Sequence, residues 1–171
     1  MGTHILKKAA VSSGVLKDSR SVLNSIRRIV RALRVSSRAA EKRVGLSGAQ
    51  LFVLRQLTDG GQMSVNDLAD RTLTHQSSVS VIVQRLAQKG LVTRKHSRND
   101  GRRLELSLTR AGKLLVVKGP DPAQNALIDA LRGMPERRRF QLAQLLNEFV
   151  RDAGMSGENP ELFLEDETQK E

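Results

Sequence analysis

The stretch SVNDLADRTLTHQSSVSVIVQRLAQKGLVTRKHSRNDGRRLELSLT, residues 64–109, does most to narrow what this chain can fold into. Ser64 precedes an apolar run that begins at Leu68 and Ala69, and Asp67 stands three residues on. That spacing predicts a helix start by reciprocal capping, imperfect because Asp stands where Glu or Gln is usual. The helix is short and ends near Arg71 or Thr72. Thr74 is then expected to cap a second helix, roughly 75–89, whose buried stripe is Val79, Ile82, Val83 and Leu86 at three- and four-residue steps. Gly90 ends it. Residues 91–97 and 104–109 read as strands, the second alternating Leu104, Leu106 and Leu108 with Glu105 and Ser107. Arg98-Asn99-Asp100-Gly101-Arg102-Arg103 between them has the composition of a hairpin turn. Helix, turn, helix and basic-tipped hairpin in this order describe a winged helix-turn-helix. That architecture can seat one helix in a DNA groove with the hairpin beside it.

The flanks read as helices. Residues 1–14 are weakly periodic and are taken as a flexible arm. A long helix over 17–42, within a first dimerisation segment 15–45, carries Val22, Ile26, Ile29 and Leu33 on one stripe, widened by Leu23 and Val30. Arg20, Arg27, Arg28, Arg31, Arg34 and Arg38 fall largely off that stripe, and most are read as a solvated face. Gly45 ends this helix. Ser47 and Gln50 form a capping box for the next, with Leu51, Leu54 and Leu57 along one side and Gly60-Gly61 as its stop. After the hairpin, Thr109 caps a helix to about residue 118. Gly119-Pro120-Asp121-Pro122 then breaks it, with Asp121 expected to cap the restart and Pro122 to open it. The restart runs to Gly133, and Pro135 opens a last helix that ends near Gly154.

The expected fold is therefore mainly α with a small β-hairpin wing. A winged helix-turn-helix lobe (46–109) lies between helical dimerisation regions (15–45 and 110–153), and a flexible acidic tail (154–171) follows. The helices at 17–42, 110–133 and 135–153 are too apolar for a short monomeric bundle, which points to a two-fold homodimer. With four Phe and no Tyr or Trp, the core must be aliphatic.

Charge suggests the partner. The chain carries a formal +11, unevenly placed. From Gly154 onward six acids face the single base Lys170, so this tail is net −5 and the remaining body is net +16. A basic body of this size favours a polyanion. Without cysteine there is no disulfide, no thiolate zinc site and no thiol switch. The three His (His4, His75, His96) are scattered, so neither a metal nor a cofactor is expected. No apolar run reaches the roughly 20 residues of a membrane span, and the start lacks a secretory pattern. Those absences suggest a cytoplasmic protein without membrane contact. No nucleophile–base pair or phosphate loop suggests an enzyme.

Recognition is the chemistry that remains. The 75–89 helix presents His75, Gln76, Ser77, Ser78, Ser80 and Gln84 as candidate base readers. Gln can pair two-pronged with adenine, and Ser allows close approach to the groove floor. Residues near the helix N-terminus reach bases first. At the hairpin tip Arg98, Arg102 and Arg103 crowd together, a repulsion that a polyanion relieves. Arg102 or Arg103 can enter a narrow minor groove. Asp100 reads as wing scaffold, accepting turn N–H groups or holding an arginine. Arg94 and Lys95 are phosphate contacts or solvated charge.

These motifs resemble the multiple-antibiotic-resistance regulator (MarR) family of bacterial transcription factors. LSGAQLFVLRQL is similar to that family's second helix, and residues 64–92 to its helix-turn-helix. The wing, Asp100-x-Arg102-x-x-x-Leu106-x-Leu108-Thr109 followed by Ala111-Gly112, matches the family's D-x-R-x-x-x-V/L-x-L-T pattern. The resemblance runs from about Leu46 to Gly112. It implies a dimer with interlocked terminal helices, recognition helices in successive major grooves, and wings in the minor groove of a pseudo-palindromic double-stranded operator. It assigns Asp100 as organiser and Arg102 as minor-groove contact. It also implies a repressor released by a small phenolic or aromatic effector, for which this chain offers Phe52 or aliphatic walls. The alternative is a sequence-tolerant architectural DNA-binding protein without an effector.

Overall fold

The structure is a computed structural model in which residues 13–96 and 104–157 are described. Its elements are α1 (Ser13–Val44), α2 (Gly48–Gly60), α3 (Val65–Thr72), α4 (Gln76–Gln88), β1 (Val92–His96), β2 (Leu104–Leu108), α5 (Arg110–Lys118), α6 (Ala123–Gly133) and α7 (Glu136–Asp152). The fold is thus mainly helical with one small antiparallel hairpin. The chain divides into two compact units, one through Ala32 and one from Leu33 onward. The first contains the N-terminal part of α1. There Val15, Leu16, Val22, Leu23, Ile29 and Val30 are exposed and Ile26 is half-buried.

The second unit is built around α2. Leu51, Phe52, Val53, Leu54 and Leu57 are all buried, so α2 is covered on most of its circumference. Leu68 from α3, Val79, Ile82, Val83 and Leu86 from α4, Leu106 from β2, Val116 from α5 and Ile128 from α6 complete one core. Each large side chain taken fully out of water contributes about 1.5–3 kcal/mol.

Local chemistry sets the boundaries. Gly45 has φ +70°, a conformation that side-chain-bearing residues disfavour, and its N–H closes on the Glu41 carbonyl. Ser47 Oγ accepts from the Gln50 N–H (3.2 Å) while Gln50 Oε1 accepts from the Ser47 N–H (3.4 Å), so the expected box forms. Ser37 Oγ from α1 accepts from the Gly48 N–H at 2.9 Å, supplying another of the donors a helix start leaves open.

Two expected caps are corrected. Thr74 does not cap α4. Its backbone N–H is spent on the Ala69 carbonyl, and the N-cap is His75, whose side chain makes no capping bond. Asp121 does not cap α6 either. It forms an ion pair with Arg55 at 2.8 Å, the N-cap is Pro122, and the Ala123 N–H is met by Ser36 Oγ at 3.0 Å. In both cases the geometry of one residue, or a partner far along the chain, outweighs the local pattern. Arg55 also donates to the Gly119 carbonyl (2.9 Å), so α2 grips the break between α5 and α6 from both sides.

β1 and β2 pair from Val92↔Leu108 to His96↔Leu104. Met63 adds an unforeseen bridge to Leu106, with bonds in both directions. The predicted alternation along β2 is only partly realised: Leu106 is buried, Leu108 half-buried and Leu104 exposed. Thr109 Oγ1 accepts from the Gly112 N–H (3.1 Å) as expected. Gly112 is there for space, since a Cβ at that position would collide with the Leu91 carbonyl oxygen. No helix among the described residues is long and apolar enough to cross a membrane.

Candidate nucleic-acid interface

The helix-turn-helix is made rigid from below. At α3 the box that Asp67 was expected to complete imperfectly is fully made. Asp67 Oδ2 accepts from both the N–H and the Oγ of Ser64 at 2.8 Å, and Ser64 Oγ accepts from the Asp67 N–H at 3.2 Å. The shorter Asp side chain therefore reaches as well as Glu. α3 ends at Leu73, a non-glycine residue in the left-handed region (φ 52°, ψ 44°), which reverses the chain into α4. Thr72 Oγ1 donates back to the Leu68 and Ala69 carbonyls, closing the last turn.

α4 is anchored by Val79, Ile82, Val83 and Leu86, all fully buried. Its other side faces outward. Gln76, Ser77 and Gln84 are exposed, Ser80 is half-buried, and His75 lies just before the helix in an exposed position. Ser78 is the exception among the candidate readers. It is only 8% exposed and belongs to the inner side, because a step of 100° per residue carries it past the edge of the outward face. Two outward residues were missed by the reading of the sequence: Gln88, and Val81, which is 44% exposed. The outward face was read from its polar residues alone, although the same periodicity places Val81 beside Ser77 and Gln84.

The side chain of His75, the N-cap of α4, makes no capping hydrogen bond. The positive end of the helix dipole at this start is suited to a phosphate. The hairpin beside it presents Arg94, Lys95 and His96 on the exposed end of β1. Its inner end is tied by Thr93 Oγ1 to Ser107 Oγ at 2.8 Å. Arg98, Asp100, Arg102 and Arg103 lie outside the described residues. Among the described residues, no group of three or more acidic or His side chains is placed to hold a metal ion.

This geometry agrees with the likeness to known proteins. A family model described as MarR family matches residues 44–103, the segment from the last residue of α1 to the residue before β2. The chain is 40% identical over 70 residues to the HTH-type transcriptional repressor MdtR of Bacillus subtilis, covering 41% of this chain and 45% of that protein. The match thus spans about half the length of that relative. It is 31% identical over 109 residues to the homoprotocatechuate degradative operon repressor of Escherichia coli, covering 64% of this chain and 74% of that one. Among solved structures, a cysteine-to-serine variant of MarR from E. coli, in complex with operator DNA, superimposes with a TM-score of 0.53. That match covers 75% of this chain and 93% of the other at 18% identity, and so speaks for the fold.

Proposed function

The chain belongs to the MarR family, and from that premise we propose that it is a dimeric, sequence-specific DNA-binding repressor of transcription, working in the cytoplasm and without enzymatic chemistry. The observation that carries this reading is α4 itself. A fully buried stripe fixes the helix, while Gln76, Ser77 and Gln84 are exposed on its other face, with Ser80 half-buried beside them. Gln and Ser at these positions suit base edges in the major groove. Arg98, Arg102 and Arg103 supply charge at the wing tip, with Arg102 in the minor groove and Asp100 holding the turn. Two copies, joined through their terminal helices, address the halves of a pseudo-palindromic operator. A small aromatic or phenolic effector releases the DNA, in keeping with a relative named for the repression of a degradative operon.

The test is a fluorescence anisotropy titration of the full chain against duplex DNA from upstream of its own gene and against a scrambled duplex, at moderate salt. Specific repression requires clear preference for the upstream duplex. Equal binding to both, with a steep salt dependence, would replace it with the architectural reading. Arg102→Ala is expected to weaken the specific complex by about 1–3 kcal/mol. An unchanged affinity would remove Arg102 from the interface.

A further inference from the structure

Resting on the reading of α4 as the recognition helix, we propose that Val81 is a specificity-determining residue that reads the 5-methyl group of a thymine in the major groove. Of the exposed residues in α4, Gln76, Ser77, Gln84 and Gln88 are polar, whereas Val81 is a β-branched hydrocarbon. It stands four residues after Ser77 and three before Gln84, so at 100° per residue it adjoins both on the outward face, on the side toward Arg85. The core does not account for it. The buried stripe is Val79, Ile82, Val83 and Leu86, and Val81 points away from them at 44% exposure. Helix formation does not account for it either, since Val is a poorer helix former than the Gln residues around it.

The chemistry of the groove does. Thymine is distinguished there by its methyl group, and the side chains that recognise it are apolar. The two methyls of Val81 have no hydrogen-bonding capacity. Set against a cytosine amino group or a guanine edge, they would strip water from a polar group and return nothing. Against a thymine methyl, both surfaces lose water to mutual advantage. Gln76, Ser77 and Gln84 would then read polar edges while Val81 selects T over C at one position in each half-site.

The experiment uses the full chain and the duplex it enriches from a randomised pool. Each thymine is replaced in turn by uracil, which removes the methyl group and keeps the base pair. For the unaltered protein, uracil at one thymine per half-site is expected to weaken binding about 4-fold, the effect of one methyl group returned to water. The same replacement should leave Val81→Ala unaffected, while thymines elsewhere act alike on both proteins. Thermal unfolding of Val81→Ala at unchanged temperature confirms that the helix is intact. If every uracil duplex affects the two proteins equally, the assignment of Val81 falls and the repressor reading stands. If no sequence is enriched at all, both fall together.

Discussion

α2 and α7 are both helices rich in Leu and Phe, yet they stand in opposite surroundings. In α2, Leu51, Phe52, Val53 and Leu54 are sealed by α3, α4, β2, α5 and α6. In α7 no residue is buried, and Phe140 and Leu145 remain 63% and 64% exposed. The N-terminal part of α1 resembles α7 in this respect, with Val22, Leu23, Ile29 and Val30 open. Apolar content alone therefore does not say where a helix is buried; the supply of partner surfaces does. Soluble chains rarely leave patches of this kind uncovered. The contrast separates a lobe that is complete within one chain from terminal helices that, on the proposed dimer, are completed by a second copy.

The largest effect should come from breaking the complete side. Phe52→Ala opens a cavity in the centre of the lobe and is expected to cost about 3–5 kcal/mol in denaturant unfolding at fixed protein concentration. A loss below 1 kcal/mol would mean that α2 is not the centre. On the other side, Phe149→Glu is expected to weaken dimerisation by roughly 100-fold, about 2.7 kcal/mol, measured as a shift in sedimenting mass. The lobe's core should be untouched, because Phe149 takes no part in it. Ser64→Ala removes the oxygen that caps α3 and is expected to cost about 1 kcal/mol, seen as a lower unfolding midpoint. The smallest effect, and of opposite sign, is expected at Leu73. It is exposed and left-handed, so Leu73→Gly should raise stability by about 0.5 kcal/mol, strain relief partly offset by a freer unfolded chain. A clear loss of stability there would show that the Leu73 side chain has a packing role.

The lobe was largely legible in the sequence for the same reason that it is complete. Its signals are local. Ser47 with Gln50, Ser64 with Asp67 and Thr109 with Gly112 each need only three residues of chain, and each forms. The stripe of Val79, Ile82, Val83 and Leu86 needs only helical spacing. What escaped depends on residues distant in sequence or on a single dihedral angle. Asp121 was drawn to Arg55, and Ser36 took over the start of α6. Met63 found Leu106 across more than forty residues. Thr74 missed the cap by one position, and Ser78 fell just inside the edge of the outward face. Val81 went unnoticed because the outward face was read from its polar residues alone, although helical spacing places Val81 beside Ser77.

The claim that a self-contained lobe reaches DNA tightly only when the terminal helices join two copies is tested most directly by operator affinity in the Phe149→Glu chain. The duplex enriched by the unaltered protein is titrated at concentrations where the variant sediments as a monomer. The expected result is two chains per duplex for the unaltered protein and roughly 100-fold weaker binding for the variant, through loss of bivalent engagement, with the lobe's cooperative unfolding retained. A monomeric variant that binds the same duplex singly, with undiminished affinity, would contradict the account.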